Sequence, residues 1–182
     1  VFRILPRIFF PVFLYSMTSG GELLAFETVI HTNLIINQMA AHSIKTVQQI
    51  PVSLEKAWEF FSNPANLQAI TPGDMGFTII SKHHGPVMYA GQLIEYKVKP
   101  VLGIPMYWMT EITQVKDQSY FIDEQRFGPY TLWHHQHHFK AIPGGVEMTD
   151  IIHYRIPLGW LGRLANRLFV AKKLEGIFRY RF

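Results

Sequence analysis

The spacing of apolar and polar positions changes period several times along the chain, and each change predicts a different element. From Ser43 to Ile50 the side chains alternate, with Ile44, Thr46, Gln48 and Ile50 against Lys45, Val47 and Gln49, the period-2 signature of a strand. Pro51 ends it. Ser53 then offers an N-cap, Glu55 sits where the helix dipole favours an acid, and Leu54, Ala57, Trp58 and Phe61 recur at helical spacing, predicting a helix of about two to three turns. Asn63-Pro64 breaks this helix and starts a second short one, which carries Leu67 and Ile70 inward and closes at Thr71-Pro72-Gly73.

The middle of the chain alternates again. Strands are predicted over Phe77–Lys82, Gly91–Val98, Met106–Val115 and Ser119–Phe127, punctuated by His83-His84-Gly85-Pro86, by Pro100 and Gly103-Ile104-Pro105, by Asp117-Gln118 and by Gly128-Pro129. Two further alternating runs between Tyr130 and Pro157 flank Pro143-Gly144-Gly145, the pattern of a β-hairpin. After Pro157 the period lengthens. Leu164, Leu168, Ala171, Leu174, Phe178 and Phe182 form one stripe of a long terminal helix, and Phe169, Val170 and Ile177 lie outside it. Strands joined by short turns form an antiparallel sheet, and the terminal helix is the element long enough to cover its inner face. The expected class is α+β: a curved antiparallel sheet of about seven strands around that helix, enclosing a cavity where inward side chains leave space.

Residues 41–182 make one such domain. Residues 1–38 differ: Arg3 and Arg7 precede an apolar run interrupted by Pro6 and Pro11, too short for the ~20 apolar residues of a membrane span. They read as an extension upstream of a start at Met39, with a targeting or interaction segment as the alternative.

Composition narrows the chemistry. A hydrophobic fraction of 48% with 16% charged residues excludes general disorder, and 14 Phe, 8 Tyr and 4 Trp mean that any interior space is lined by rings. The absence of cysteine removes disulfides, thiolate metal sites and cysteine nucleophiles, and agrees with a cytoplasmic location. The net charge of +4 is concentrated after Arg163, where Arg163, Arg167, Lys172, Lys173, Arg179 and Arg181 face one acid, Glu175. The remainder is near neutral, so no basic body tracks a phosphate backbone and no nucleic-acid partner is expected. The basic helix instead allows peripheral contact with an anionic membrane or a protein.

Strand parity decides which chemistry converges on the hairpin. Trp133, His135, His137 and Phe139 share one face of its first arm, and His134, Gln136 and His138 share the other. On the second arm Met148, Asp150, Ile152 and Tyr154 fall together. Four clustered histidines thus reduce to one convergent pair, to which Asp123 or Asp150 could add a third metal ligand. With no Cys and no tight acidic cluster beside them, no metal and no other cofactor is expected. An acid–base enzyme would use His135 with Asp150 as its best catalytic candidates. The reading with the fewest assumptions is a binding pocket, with Trp108, Phe121, Phe127, Trp133 and Tyr154 as apolar walls and Asp123, Gln125, His135, His137 and Asp150 orienting a polar head.

The segments QQIPVSLEKAWEFFSNPANLQAITP, QLIEYKV, DEQRFGPYTLWHHQHHF, GGVEMTDIIHYRIP and LANRLFVAKKLEGIFRYRF resemble the SRPBCC superfamily, which includes START lipid-binding domains, pollen-allergen-type carriers, polyketide cyclases and coenzyme Q-binding proteins. WHHQHHF followed by GGVEMTD is similar to uncharacterised bacterial members, some of them fused to a sugar-nucleotide epimerase-like domain. The resemblance covers Ile44 to Phe182. It implies a helix-grip fold whose cavity binds or transports a small hydrophobic or lipid-like ligand, with a cyclase/dehydratase-type enzyme as the alternative. It implies no particular reaction, because fold is a poor guide to chemistry.

Overall fold

Alternation of side chains over His42–Ile50 builds the first strand, β1, and its partner is the last strand in sequence rather than the next. The structure, a computed structural model, describes residues 41–81, 85–99 and 103–180. After β1 come helix α1 (Leu54–Phe61), two 3-10 turns (Pro64–Gln68 and Gly73–Met75), then β2 (Thr78–Ile79), β3 (Gln92–Val98), β4 (Met106–Lys116), β5 (Tyr120–Phe127), β6 (Leu132–Ile142) and β7 (Gly145–Arg155). These strands form one sheet of seven in the order β1-β7-β6-β5-β4-β3-β2, with every pair antiparallel. This is the curved α+β architecture expected from the sequence. The extension at 1–38, the turn at His83-His84, the break at Pro100 and the ends Lys82 and Phe182 of two predicted elements lie outside the described residues.

Local chemistry sets the turns and caps. The β6–β7 hairpin closes through Pro143 and a left-handed Gly144 (φ 83), which fixes Ile142 opposite Gly145. That register places His137 directly across from Asp150 and His135 across from Ile152. The Ser53 side chain accepts from the Lys56 N–H to cap α1, and Asn63 accepts from Ala65 N–H to start the next turn. Helix α1 buries Ala57 and Trp58 against the sheet, with Trp58 edge-on to Phe139 and Phe121 at ring separations of 5.5 and 6.1 Å. Each large side chain buried in this way stabilises the fold by about 1.5–3 kcal/mol.

The terminal helix departs from the predicted stripe. Helix α2 (Gly159–Ala165) passes through a π-helical turn (Asn166–Val170) into α3 (Ala171–Arg179). A π-turn adds a residue to one turn, so the buried face shifts in phase across it. After the turn Leu174 and Phe178 are buried as the spacing predicts. Before and within it the buried residues are Gly162 and Asn166, while Leu164 and Leu168 are 47% and 54% exposed. Asn166 is held inside by accepting a 3.0 Å hydrogen bond from the Tyr154 hydroxyl. Gly162 lies so close to the Pro157 carbonyl that a Cβ would overlap it. Gly162→Ala is therefore expected to lower unfolding free energy by about 1–3 kcal/mol in a urea titration, as overpacking does elsewhere.

One predicted strand also contracts, from Phe77–Lys82 to the two residues of β2. Gly76 preceding it is left-handed (φ 52), and Ile80 N–H and Ser81 N–H both turn to the Glu95 carbonyl, so the ladder ends early. Among the described residues, no helix is long and apolar enough to cross a membrane.

Candidate functional site

Inward side chains of β3 to β6 fail to fill the space beneath α3, leaving a cavity of about 130 Å3. Its walls are apolar on most sides, with Met88, Ile94, Trp108, Ile112, Phe121 and Trp133 from the sheet side and Leu174, Ile177 and Phe178 from the helix. Trp108 meets Trp133 edge-on at 5.3 Å, and its indole N–H donates to Thr110 Oγ1 at 3.0 Å, so the polar tip of the ring is satisfied within the wall. Thr71 and Thr110 add hydroxyls, and Asp123, His135 and His137 supply the cavity's charged and titratable polar atoms.

The two histidines and Asp123 belong to a buried network. His135 Nε2 lies 2.9 Å from Asp150 Oδ1, and His137 Nε2 lies 2.9 Å from Asp123 Oδ2. His135 Nδ1 also approaches Asp123 Oδ2, at 3.4 Å, and His137 Nδ1 approaches Asp150 Oδ1 at 2.9 Å without the alignment of a hydrogen bond. Both histidines and Asp150 are almost inaccessible, and Asp123 is half-buried at the cavity edge. Burial alone would raise the Asp150 carboxyl, but its hydrogen bond with His135 and the close His137 ring outweigh it and hold the group well below the usual carboxylate range. Burial, reinforced by the neighbouring His137, pushes His135 down. Burial also opposes charge on His137, yet its contacts with Asp123 and Asp150 carry it above the ordinary imidazole value. Phe121 stacks on the His137 ring at 4.1 Å and Phe178 meets His135 edge-on at 5.5 Å, sealing the network from above.

Of the residues singled out from the sequence, Trp108, Phe121, Asp123, Trp133, His135 and His137 come together on this cavity. Asp150 stands behind the two histidines rather than on the wall, and Tyr154 is buried at the Asn166 anchor. Four pocket assignments are thus corrected: Asp150, Tyr154, Gln125 and Phe127. Gln125 is a loop clamp, because its amide donates to the Tyr130 carbonyl at 2.6 Å and accepts from the Tyr130 N–H at 3.2 Å. Phe127 is 61% exposed. The β4–β5 register puts Thr110 opposite Gln125 but Met109 opposite Phe127, so Arg126 is an extra residue that upsets alternation at that end. On the outer face, His134 contacts Glu124 at 3.0 Å and His138 contacts Gln136 at 3.0 Å, turned away from the cavity.

Ile94, Tyr96 and Val98 also line the cavity, and their shared parity on β3 was the available sign. Met88 had none, because it lies in the connection before β3 and is carried in by a backbone hydrogen bond from its N–H to the Ser62 carbonyl. Tyr130, whose phenol is pushed up by burial, is likewise placed by the Gln125 clamp. Together with Leu174 and Ile177 it separates the inner cavity from an outer cleft of about 600 Å3, lined also by Leu168, Phe169, Lys99, Lys172 and Lys173. An ion pair between Lys173 and Asp74 ties α3 across this cleft.

Several solved structures share the arrangement. A protein from Thermus thermophilus aligns at a TM-score of 0.59 and 13% identity, covering 77% of this chain and 91% of that one. Ara h 8.0201 aligns at 0.53 and 15% identity, covering 78% and 95%. The chain has a helix-grip fold. A nucleoside-diphosphate sugar epimerase from Corynebacterium glutamicum aligns at 0.53 and 20% identity over 76% of this chain but only 27% of its own length, so one part of that enzyme carries the same helix-grip arrangement. No protein-family model and no curated protein matches the sequence.

Proposed function

We propose that this helix-grip domain, of the SRPBCC kind, binds a small apolar molecule with one polar end in the cavity beneath α3. The observation that carries the reading is the make-up of that cavity: walls that are mostly aromatic and aliphatic, interrupted by the Asp123–His135–His137 group. Most binding sites have this composition, apolar area for affinity and a few polar groups for orientation. At about 130 Å3 the inner space suits a molecule of roughly one ring. A longer, lipid-like ligand would extend past Tyr130, Leu174 and Ile177 into the outer cleft. Native mass spectrometry of protein purified from its own host tests this. A reproducible apolar adduct is expected, and the same compound at a hundredfold its Kd should stabilise the fold by about 2.7 kcal/mol. Protein that emerges empty and gains no thermal stability across a panel of quinones, fatty acids and aromatic polyketides would overturn it.

A second reading rests on the phase shift in the terminal helix. Trp160, Leu161, Leu164, Leu168 and Phe169 are exposed beside the exposed cations Arg163, Arg167 and Lys172. An apolar face flanked by positive charge fits the interface of an anionic bilayer. Trp160→Ala with Phe169→Ala is expected to reduce co-sedimentation with phosphatidylserine vesicles at least tenfold, and added salt should weaken wild-type binding. Equal binding to neutral vesicles, unaffected by salt, would contradict it.

A further inference from the structure

Each of the four ring nitrogens of His135 and His137 faces a carboxylate oxygen within 3.4 Å. A neutral imidazole has one N–H and one lone pair, so two neutral rings would leave two lone pairs pointing at carboxylates. The arrangement therefore calls for two positive charges among these four side chains. They can arrive as two protons or as one divalent cation, and the geometry distinguishes an inner from an outer side. His135 Nδ1, His137 Nε2 and Asp123 Oδ2 converge, and their residues line the cavity. His135 Nε2 and His137 Nδ1 point the other way, toward Asp150.

We infer that Asp123, His135 and His137 form a binding site for a divalent transition-metal ion, with Asp150 as the carboxylate behind both histidines. The ligand spacing fits this use. For metal–ligand bonds of about 2.1 Å, the 2.9 and 3.4 Å separations from Asp123 Oδ2 subtend roughly 90° and roughly 110° at the metal, the range of octahedral and tetrahedral sites. One ligand atom from each of the three residues lies within 4.8 Å of the others. Two imidazoles and one carboxylate leave coordination positions open, and these face the cavity. Asp150 fixes the His135 ring by accepting from Nε2, which leaves Nδ1 as the donor atom toward the metal. His137 Nδ1, buried without a hydrogen bond, is the position that a small ring rotation on metal binding would bring into line with Asp150. The sequence left open whether Asp123 or Asp150 stands as the third ligand beside the two histidines. Pairing of Asp123 with His135 across β5 and β6, on the cavity side, selects Asp123.

Chelator-treated, untagged protein titrated with Co2+ tests the site directly. One equivalent is expected to bind with a Kd below about 10 µM and to produce visible ligand-field absorption, which Zn2+ then removes. His137→Ala and Asp123→Asn should each weaken binding about a hundredfold or more, and Asp150→Asn by about ten- to a hundredfold through loss of orientation. His134→Ala combined with His138→Ala should leave it unchanged. Folding of every variant is checked by circular dichroism. Failure of wild-type protein to saturate with Co2+ or Zn2+ by about 100 µM overturns the inference, as does equal binding by folded Asp123→Asn. The inference is separate from the apolar-ligand reading, since an apolar adduct on metal-free protein would leave that reading standing.

Discussion

Asp150→Ala is expected to destabilise the domain by about 3–5 kcal/mol, the largest effect of any single polar substitution in the sheet. The carboxylate is 1% exposed, lies at hydrogen-bond distance from His135, and faces His137 directly across the β6–β7 ladder. Removing it leaves both imidazoles buried beside Asp123 with one counter-charge fewer, which is costlier than never having built the network. Urea unfolding monitored by tryptophan fluorescence reads the loss. The contrast is Glu124, which contacts Arg126 and His134 on the solvent face with its side chain 31% exposed. Glu124→Ala should stay within about 1 kcal/mol of wild type, as exposed ion pairs do. Equal losses for the two variants would show that the His/Asp network is far better solvated than its burial indicates.

The second large effect lies in the terminal helix. Phe178→Ala is expected to cost about 3–5 kcal/mol, because this ring is 3% exposed and packs on His135, Ile152 and Leu174. Leu168→Ala, ten residues earlier and a member of the same predicted stripe, should change stability by no more than about 0.5 kcal/mol. The difference tests the π-turn itself. An unbroken α-helix would bury both residues and make both substitutions costly.

That pair also marks where the sequence stops being informative. Strands were legible because alternation is a short-range property and because Pro143-Gly144 and Asp117-Gln118 demand turns that few other residues make. Parity alone put His135, His137 and Asp150 on one face with Trp133, and the hairpin register then set His137 against Asp150. The π-turn at Asn166–Val170 had no such signature. Its one trace is a buried asparagine beside the buried Tyr154 hydroxyl, a match made between distant parts of the chain. Phe127 was misplaced for a similar reason. An extra residue at Arg126 is a property of the β4–β5 pair and cannot be read from β5 alone. The Gln125 clamp depends on the path of the loop back to Tyr130, which strand parity does not describe.

The cavity follows from the same distinction. Its walls came from alternating residues on β3 to β6, yet its size depends on Met88 and on the phase of α3, both set by tertiary contacts. Filling it is therefore the most direct test. Ile94 is 1% exposed on the sheet wall, and Ile94→Phe places a larger group in the space while leaving Asp123, His135 and His137 unchanged. Calorimetric titration of wild type and Ile94→Phe with single-ring and short-chain apolar ligands should show saturable binding by wild type, weakened at least about tenfold, or roughly 1.4 kcal/mol, in the variant. Indistinguishable titrations of the two folded proteins, or no saturable binding by wild type to any of these ligands, would contradict a ligand site beneath α3.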